Sequence, residues 1–417
     1  MGIGTFVNQP ARPITPVERR KRTSTGDLIL IATVIALCIF GMLMLYSAST
    51  DFSYLNYNGN QTFIINKQLI FLVAGIVVAI ILSRIDYHQY RRFALPMMVV
   101  AIALLFAVLL TKDLRNGAIR TFFGGSVQPS ELAKLVTILY LSVWLYSKQE
   151  YLHDVQLGLV PLAIILGGIA GLIYLEPDLS ATITIFLLGG LLFFLAGGEL
   201  RQIVLFSLVA LVAGWVVVQF SLTGRTRMAS YLAGLKDPLK SSSHVLWSLE
   251  AVYRGKWFGV GIGNATTKLI GLPFSATDSI FAVIVEELGL VGALGLICLY
   301  GILLWRGLVI ASRAPDQLGS IMAAGLSFWI IIEALINMTM IIGLIPVAGN
   351  ALPFISAGGS NLLSTLAAVG ILLGISRVSG QKAPAESNER RSYSASVDLR
   401  RRDRRRSVSR PVRPASH

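Results

Sequence analysis

Ten apolar stretches follow one another along the chain, separated by polar or Gly/Pro-containing turns. Each approaches or exceeds the roughly 18 residues that mark a membrane-spanning helix. They lie at about 28–48, 68–83, 93–110, 132–147, 157–174, 180–196, 202–220, 280–305, 318–342 and 361–376. The pattern predicts an all-α integral membrane protein of about ten transmembrane helices. One long polar segment, 221–279, separates the seventh helix from the eighth.

Composition supports the membrane class. The chain has 417 residues, of which 54% are hydrophobic and 14% are charged, whereas soluble domains carry about 25% charge. The first apolar stretch is too long for a cleavable signal peptide and lacks a small-residue cleavage site. Cys38 and Cys298 fall inside predicted spans and indicate no disulfide framework. The four histidines are scattered without metal-ligand spacing.

The formal net charge of +14 resides mostly in the two ends of the chain. Residues 1–27 hold five Lys/Arg against two acidic residues, and residues 377–417 hold twelve against four. We expect both to be disordered and cytoplasmic, with an even number of spans placing them on one side. The membrane domain is then 28–376. The Arg-rich C-terminal tail favours anionic lipid or a protein partner over nucleic acid.

The segment 221–279 carries seven Lys/Arg against three acidic residues. It falls on the outer side, and long segments translocate regardless of charge. Two interpretations stay open. The segment is a solvated surface resting on lipid head groups, or it is a site for a phosphate-bearing lipid, because Arg and Lys are the natural partners of phosphate.

Asp278 ends that segment, with Thr277 before it and an apolar helix after it. One interpretation is helix capping, which stabilises by about 1 kcal/mol. The other is catalysis, because a carboxylate beside a low-dielectric wall can act as a general base.

Other carboxylates lie deeper in predicted spans, where ionisable groups face a partner or a cavity. Glu286 and Glu287 follow Asp278 by about two helical turns. Glu333 and Asn337, four apart, share one face of the ninth span. For Glu287, and for Glu131 with Lys134, the residue types favour a structural ion pair or interhelical hydrogen bond.

Two glycine-rich stretches are candidates for unusual backbone. Gly259–Asn264 resembles a dinucleotide loop, but follows no cytosolic strand, so a flexible loop or a close backbone approach to a polar head group fits better. Residues 346–360 are broken by Gly and Pro at membrane depth, which is tolerated where the backbone lines a cavity or is buried in protein.

Taken together, these motifs over about 28–376 resemble the SEDS family, which includes FtsW and RodA. The matching residues are Leu45-Tyr46-Ser47-Ala48-Ser49, Asn116-Gly117-Ala118, Gln128-Pro129-Ser130-Glu131 with Lys134, Pro177-Asp178-Leu179, Arg254–Asn264, Lys268-Leu269, Leu272-Pro273, Thr277-Asp278, Glu286–Gly289, and Leu352–Ser356 with Gly358-Gly359-Ser360. The Gly-Asn to Lys-Leu spacing is closer to FtsW than to RodA.

The resemblance implies a peptidoglycan glycosyltransferase that polymerises lipid II at the outer face of the bacterial cytoplasmic membrane and releases undecaprenyl diphosphate. Asp278 falls on the family's catalytic aspartate. The implied substrate-binding residues are Arg225, Arg227, Lys268, Lys134, Glu131, Ser356, Gly358 and Gly359. No cofactor is certain; a divalent cation, Mg or Mn, is a candidate. The expected partners are membrane lipids, a class B penicillin-binding transpeptidase and other division proteins at the septum, but no nucleic acid.

Three alternatives remain open from the sequence. The protein is an elongation-type RodA polymerase, a lipid II flippase that uses its intramembrane charges as a polar path, or a structural division scaffold. Purified protein in liposomes with lipid II separates enzyme from flippase and scaffold, because only an enzyme forms polymer.

Overall fold

The computed structural model describes residues 25–111 and 128–380. Within these ranges the chain forms thirteen α-helices and no strand. Most of the two predicted tails and the Asn116-Gly117-Ala118 motif lie outside the described residues, and the domain boundaries stay a prediction.

Each of the ten predicted apolar stretches lies on a helix. The helices are α1 Thr25–Asn56, α2 Phe63–Arg84, α3 Tyr90–Thr111, α4 Pro129–Ser147, α5 Val160–Leu175, α6 Leu179–Leu195, α7 Leu200–Phe220, α8 Leu222–Lys236, α9 Ser243–Gly255, α10 Thr267–Ile270, α11 Ile280–Ser312, α12 Gln317–Ile341 and α13 Gly359–Gly380. Over the described part of the chain, eight of them are long and apolar enough to cross a membrane; α6 is shorter, and α4 carries Glu131 and Lys134. The all-helical membrane fold is confirmed, and the count of ten spans stays a prediction.

The helices differ in depth within the bundle. In their most apolar windows, α12 is 72% buried and α13 78% buried, whereas α7 is only 6% buried. Leucine and valine side chains, with Trp215 and Phe220, cover the surface of α7, as suits a helix that faces lipid. By contrast, α12 and α13 form the centre of the fold and carry buried polar side chains.

That segment is folded. After α7, helices α8, α9 and α10 follow in succession, and α9 packs against α11 and α12. Serines start two of these helices, because the hydroxyls of Ser221 and Ser242 accept hydrogen bonds from backbone N–H groups three residues later. We call the end of the bundle that carries this segment the loop end.

The Gly259–Asn264 stretch approaches the backbone of α11. The helix is broken at Gly289, which has φ 68°. Val260 N and Gly261 N donate to the carbonyls of Glu286 and Glu287 at 2.9 and 3.0 Å. A Cβ on Gly259 (φ 76°) would lie 2.1 Å from the Glu287 carbonyl oxygen, so only glycine fits. The glycines approach a helix break, whose freed polar groups need partners at membrane depth; an approach to a polar head group stays a prediction.

Candidate active site

Asp278 lies half-buried at the loop end, in the turn that leads into α11. We call residues 273–279 the Asp278 turn. It is closed by Thr277 N and Ser279 N, which donate to the Phe274 carbonyl at 3.0 and 3.1 Å. Phe274 has φ 53°, a left-handed conformation that is uncommon for a bulky residue and that surrounding contacts must impose. The turn is therefore held by its neighbours rather than by local preference.

Three consecutive carbonyls of this turn are fixed from outside. Ala357 N donates to the Ala276 carbonyl at 2.9 Å. The Ser356 hydroxyl donates to the Thr277 carbonyl at 2.6 Å, and the Asn337 Nδ2 donates to the Asp278 carbonyl at 2.8 Å. The backbone that carries the carboxylate is thus immobilised by α12 and by the irregular segment before α13.

Ser356, predicted to bind substrate, uses its hydroxyl inside the protein. It is 3% exposed, donates to Thr277 and accepts from Leu352 N at 2.8 Å. The structure gives it a positioning role, and direct contact with substrate stays a prediction. Gly358 and Gly359 follow it and line a cavity beside the turn. The irregular 346–360 stretch therefore lines a cavity, as the sequence indicates.

Beneath the Asp278 turn lies a buried ion cluster, formed by Glu131, Lys134, Glu333 and Asn361. The Lys134 ammonium contacts Glu131 Oε1 at 2.9 Å and pairs directly with Glu333. Asn361 Nδ2 donates to both carboxylates, at 3.0 and 3.1 Å. The lysine side chain is 1% exposed. The expected structural ion pair is present and extends to a second glutamate, while the predicted substrate-binding roles of Glu131 and Lys134 stay predictions.

The ion cluster connects to the Asp278 turn through two asparagines. Asn350 Nδ2 donates to the Glu333 carbonyl at 3.0 Å. Asn337 Nδ2 donates to the Asn350 carbonyl at 2.6 Å, in addition to its bond with Asp278. Polar contacts therefore run without interruption from α4 through α12 to the candidate catalytic residue.

Lys268 forms a second internal ion pair. Its ammonium lies 2.9 Å from Glu287 Oε1 and 2.9 Å from the Ser47 carbonyl oxygen. Ser47 also donates its hydroxyl to Glu287 at 2.6 Å. The lysine side chain is 4% exposed, so its ammonium anchors the segment 221–279 to α1 and α11. Its predicted contact with substrate stays a prediction.

Two cavities flank the Asp278 turn and share Pro273 and Phe274. The first cavity, about 660 Å³, lies among α1, α2 and the turn, with Gly358 and Gly359 in its wall. The second cavity, about 440 Å³, lies among α8, α9 and the start of the segment after α12, with Arg227 in its wall. Arg225 is exposed nearby on α8. The Asp278 turn thus lies between two spaces, each large enough to receive a polar group.

His244 was missed by sequence reasoning. Its Nε2 lies 2.9 Å from the Ser279 hydroxyl, which donates to the Pro273 carbonyl at 2.6 Å. Because that hydroxyl already donates, the imidazole must donate from Nε2. Burial lowers the pKa of His244 to about 4, and the Arg227 guanidinium acts in the same direction. Only its place in the basic segment 221–279 could have drawn attention to it, and there it lies in the first turn of α9.

A divalent cation is not supported by the residues described. Across 25–111 and 128–380, no three His, Cys, Asp or Glu side chains lie together as a metal-binding group. We therefore derive no step through a metal, and the cation stays a prediction.

What these elements can do chemically follows from their placement. A half-buried carboxylate whose backbone is fixed can accept a proton from a hydroxyl in one cavity. A guanidinium in the other cavity can stabilise negative charge that develops on a phosphate.

Comparison with known proteins gives one family. Residues 27–381 match the cell cycle protein family FTSW_RODA_SPOVE. Stage V sporulation protein E of Bacillus subtilis is 37% identical over 365 residues, covering 86% of this chain and 99% of the relative. A probable peptidoglycan glycosyltransferase FtsW of Trichlorobacter lovleyi is 36% identical over 359 residues, covering 85% of this chain and 94% of the relative.

Solved structures of similar fold agree with this family. A chain from the structure "Structural coordination of polymerization and crosslinking by a peptidoglycan synthase complex" has a TM-score of 0.69 at 27% identity, covering 84% of this chain and 97% of that chain. The rod shape determining protein RodA of Thermus thermophilus has a TM-score of 0.61 at 24% identity, covering 84% and 95%. The second likeness concerns the fold alone.

Proposed function

The chain belongs to the FTSW_RODA_SPOVE family of cell cycle proteins, and from this membership we propose that it is a peptidoglycan glycosyltransferase that polymerises lipid II into glycan strands. The observation that carries the proposal is the placement of Asp278, half-buried in a turn that is held on three backbone carbonyls and that borders two cavities. Relatives at 30–36% identity carry the name of this activity.

The reaction joins two lipid-linked disaccharides. Asp278 removes the proton from a hydroxyl of the acceptor sugar, and that oxygen attacks the anomeric carbon of the donor. The bond between this carbon and the diphosphate oxygen breaks, and undecaprenyl diphosphate leaves with the electron pair. The proton rests on Asp278 until it passes to water. A diphosphate is a good leaving group when cationic side chains offset its charge, and we assign this role to Arg227, which lines the second cavity.

Location and partners follow from the same proposal. The protein lies in the cytoplasmic membrane with both termini in the cytoplasm, and the loop end faces outward, where lipid II is polymerised. A class B penicillin-binding transpeptidase is the proposed partner, supported by the likeness to a chain of a complex that couples polymerisation to crosslinking. Relatives named FtsW support a division role over elongation.

A lipid II flippase is the second candidate. The charged residues inside the spans favour it, but their contacts in the structure give it less support. The intramembrane charges that would form a polar path are Glu131, Lys134 and Glu333. They are paired with one another and buried, and none lies in the wall of the first or second cavity.

The test is a liposome assay with purified protein and lipid II. Glycan polymer without transport of lipid II supports the enzyme. Transport of lipid II without polymer, from folded protein, would overturn the proposal. If folded protein gives neither polymer nor transport, the proposal is also overturned, and the structural scaffold is the alternative that remains.

A further inference from the structure

The Asp278 turn contains an aromatic side chain, Phe274, that the proposed reaction does not yet use. Phe274 is 56% exposed, and it belongs to the walls of both the first and the second cavity. Its carbonyl accepts the hydrogen bonds from Thr277 N and Ser279 N that close the turn around Asp278. The ring therefore lies at the boundary between the two cavities, four residues before the proposed base.

The backbone of Phe274 adopts a conformation that phenylalanine disfavours. Two phenylalanines in the described part of the chain are left-handed, Phe274 with φ 53° and Phe354 with φ 67°. A bulky side chain in this region is strained, and the strain persists only where another interaction offsets it. Glycine would adopt the same backbone without strain.

Burial explains the strain at Phe354 but not at Phe274. Phe354 is 3% exposed and belongs to the hydrophobic core, so the transfer of its ring out of water offsets the unfavourable backbone. Phe274 is more than half exposed and gains far less from burial. Because strained residues concentrate where a ligand is held, an exposed aromatic ring in a strained turn beside Asp278 indicates a contact with substrate.

The proposed reaction specifies which substrate group needs such a ring. In a linear strand built from disaccharides, the acceptor hydroxyl belongs to the sugar that carries no diphosphate. A guanidinium therefore cannot hold this sugar through a phosphate, as it can hold the donor. One face of a hexose ring presents C–H groups of slight positive charge, which match the negative face of an aromatic ring.

We propose that the ring of Phe274 is the surface on which the acceptor sugar stacks, so that the sugar's hydroxyl meets Asp278. The inference rests on the proposed glycosyltransferase function and adds to it a residue that positions the acceptor. Phe274 also borders the cavity that contains Arg227. A sugar stacked on the ring therefore adjoins the place assigned to the donor's diphosphate.

The test is Phe274→Gly, because glycine suits the left-handed backbone and removes only the ring. We expect the KM for lipid II to rise about three- to tenfold, the loss of one aromatic contact. The kcat should change little, since a contact made equally before and during the reaction affects binding alone. The unfolding midpoint in detergent should stay at or above the wild-type value, because relief of strain offsets the lost contacts of an exposed ring.

Further variants separate the aromatic face from apolar bulk. Phe274→Tyr and Phe274→Trp keep a ring and should keep a KM close to that of the wild type. Phe274→Leu supplies apolar area without an aromatic face and should raise KM as Phe274→Gly does. Phe258→Leu is the matched control, because Phe258 lies in the same segment, is 82% exposed and lines neither cavity. It should leave KM unchanged.

Phe354→Gly is the control for backbone strain. It removes a ring from the same left-handed conformation, but the ring is buried, so its unfolding midpoint should fall. An equal fall in Phe274→Gly would show that both rings support the fold and would overturn the inference. A normal KM for Phe274→Leu would overturn it as well, and so would a rise in KM that appears in liposomes but not in detergent, which would identify the ring as a membrane anchor.

The two proposals fail separately. If the folded wild-type protein forms no polymer from lipid II, the glycosyltransferase function is wrong, and with it the acceptor role of Phe274. If the wild-type protein forms polymer and Phe274→Gly has the same KM, the function stands and the stacking role is wrong.

Discussion

The Asp278 turn and the buried ion cluster both present carboxylates beside α12, and the residues that join them to that helix, Asn337 and Glu333, are one helical turn apart. The two regions are held in place through different groups. In the ion cluster the carboxylates themselves are paired, with Lys134 and with Asn361. In the Asp278 turn the backbone carbonyls are bonded, and other residues of the turn line two cavities. The ion cluster thus fixes its carboxylates inside the bundle, whereas the Asp278 turn fixes the backbone that carries a half-buried carboxylate.

The largest difference between the two regions is expected at Asp278. Asp278→Asn keeps the backbone bonds but removes the base, so we expect glycan polymerisation to fall by about 10²–10⁴-fold with unchanged thermal stability. Polymer length and yield from purified protein in liposomes measure this. Asp237→Asn is the control, because Asp237 caps the short 3-10 helix Pro238–Lys240 in the segment 221–279 and asparagine caps equally well. A near-normal yield of polymer from folded Asp278→Asn protein would contradict the catalytic assignment.

Substitutions in the ion cluster should lower the stability of the fold. Lys134→Met leaves two buried carboxylates without their cation, which costs about 3–5 kcal/mol. We expect a lower unfolding midpoint in detergent and less folded protein. Adding Glu131→Gln and Glu333→Gln should recover much of the loss, since a neutral buried set is tolerated. Lys148→Met, at the exposed end of α4, serves as the control, and an equal midpoint for the two single variants would contradict the structural role.

The link between the two regions is tested at Asn337. Asn337→Leu removes the bonds to the Asp278 and Asn350 carbonyls, and misplacement of a catalytic group by about 1 Å can cost about 10²-fold. We expect kcat to fall by about ten- to a hundredfold and KM to change little. Ser327→Ala is the control, because its hydroxyl bonds only within α12. A rise in KM with normal kcat would show that Asn337 touches substrate instead.

Arg227 tests the phosphate side of the Asp278 turn. Arg227→Ala should raise KM for lipid II by about tenfold, the loss of one charge-assisted hydrogen bond. Arg313→Ala, exposed at the opposite end of α11, should have no effect. Equal behaviour of the two variants would mean that the positive charge of the segment 221–279 is merely solvated.

The smallest expected effect is the pH dependence set by His244. Its pKa is lowered from 6.5 to about 4, so the folded state favours the neutral ring, and the unfolded state binds more protons between these values. Stability is therefore full above about 6.5 and falls as the pH drops toward 4. Unfolding midpoints across this range should show a shallower slope in His244→Gln. An unchanged slope would show that other groups dominate.

Several features of this protein follow from the sequence because they depend on local composition. Hydrophobic runs locate the helices of the membrane bundle, since burial of backbone polar groups in lipid requires helices there. A basic polar segment that ends in Asp278 marks the region of the site. Glu131 and Lys134, three residues apart, indicate an ion pair on one helix face.

Tertiary structure alone decides what holds Asp278 and what surrounds it. The bonds from Asn337 and Ser356 join residues 59 and 79 positions apart, and no local pattern encodes such pairings. The same holds for Glu333, which completes a cluster begun 199 residues earlier, and for Gly259, which docks onto a break in α11. Local composition determines which segments enter the membrane, because transfer free energy sums over neighbouring residues; the site depends on packing between distant segments, which only the folded chain brings together.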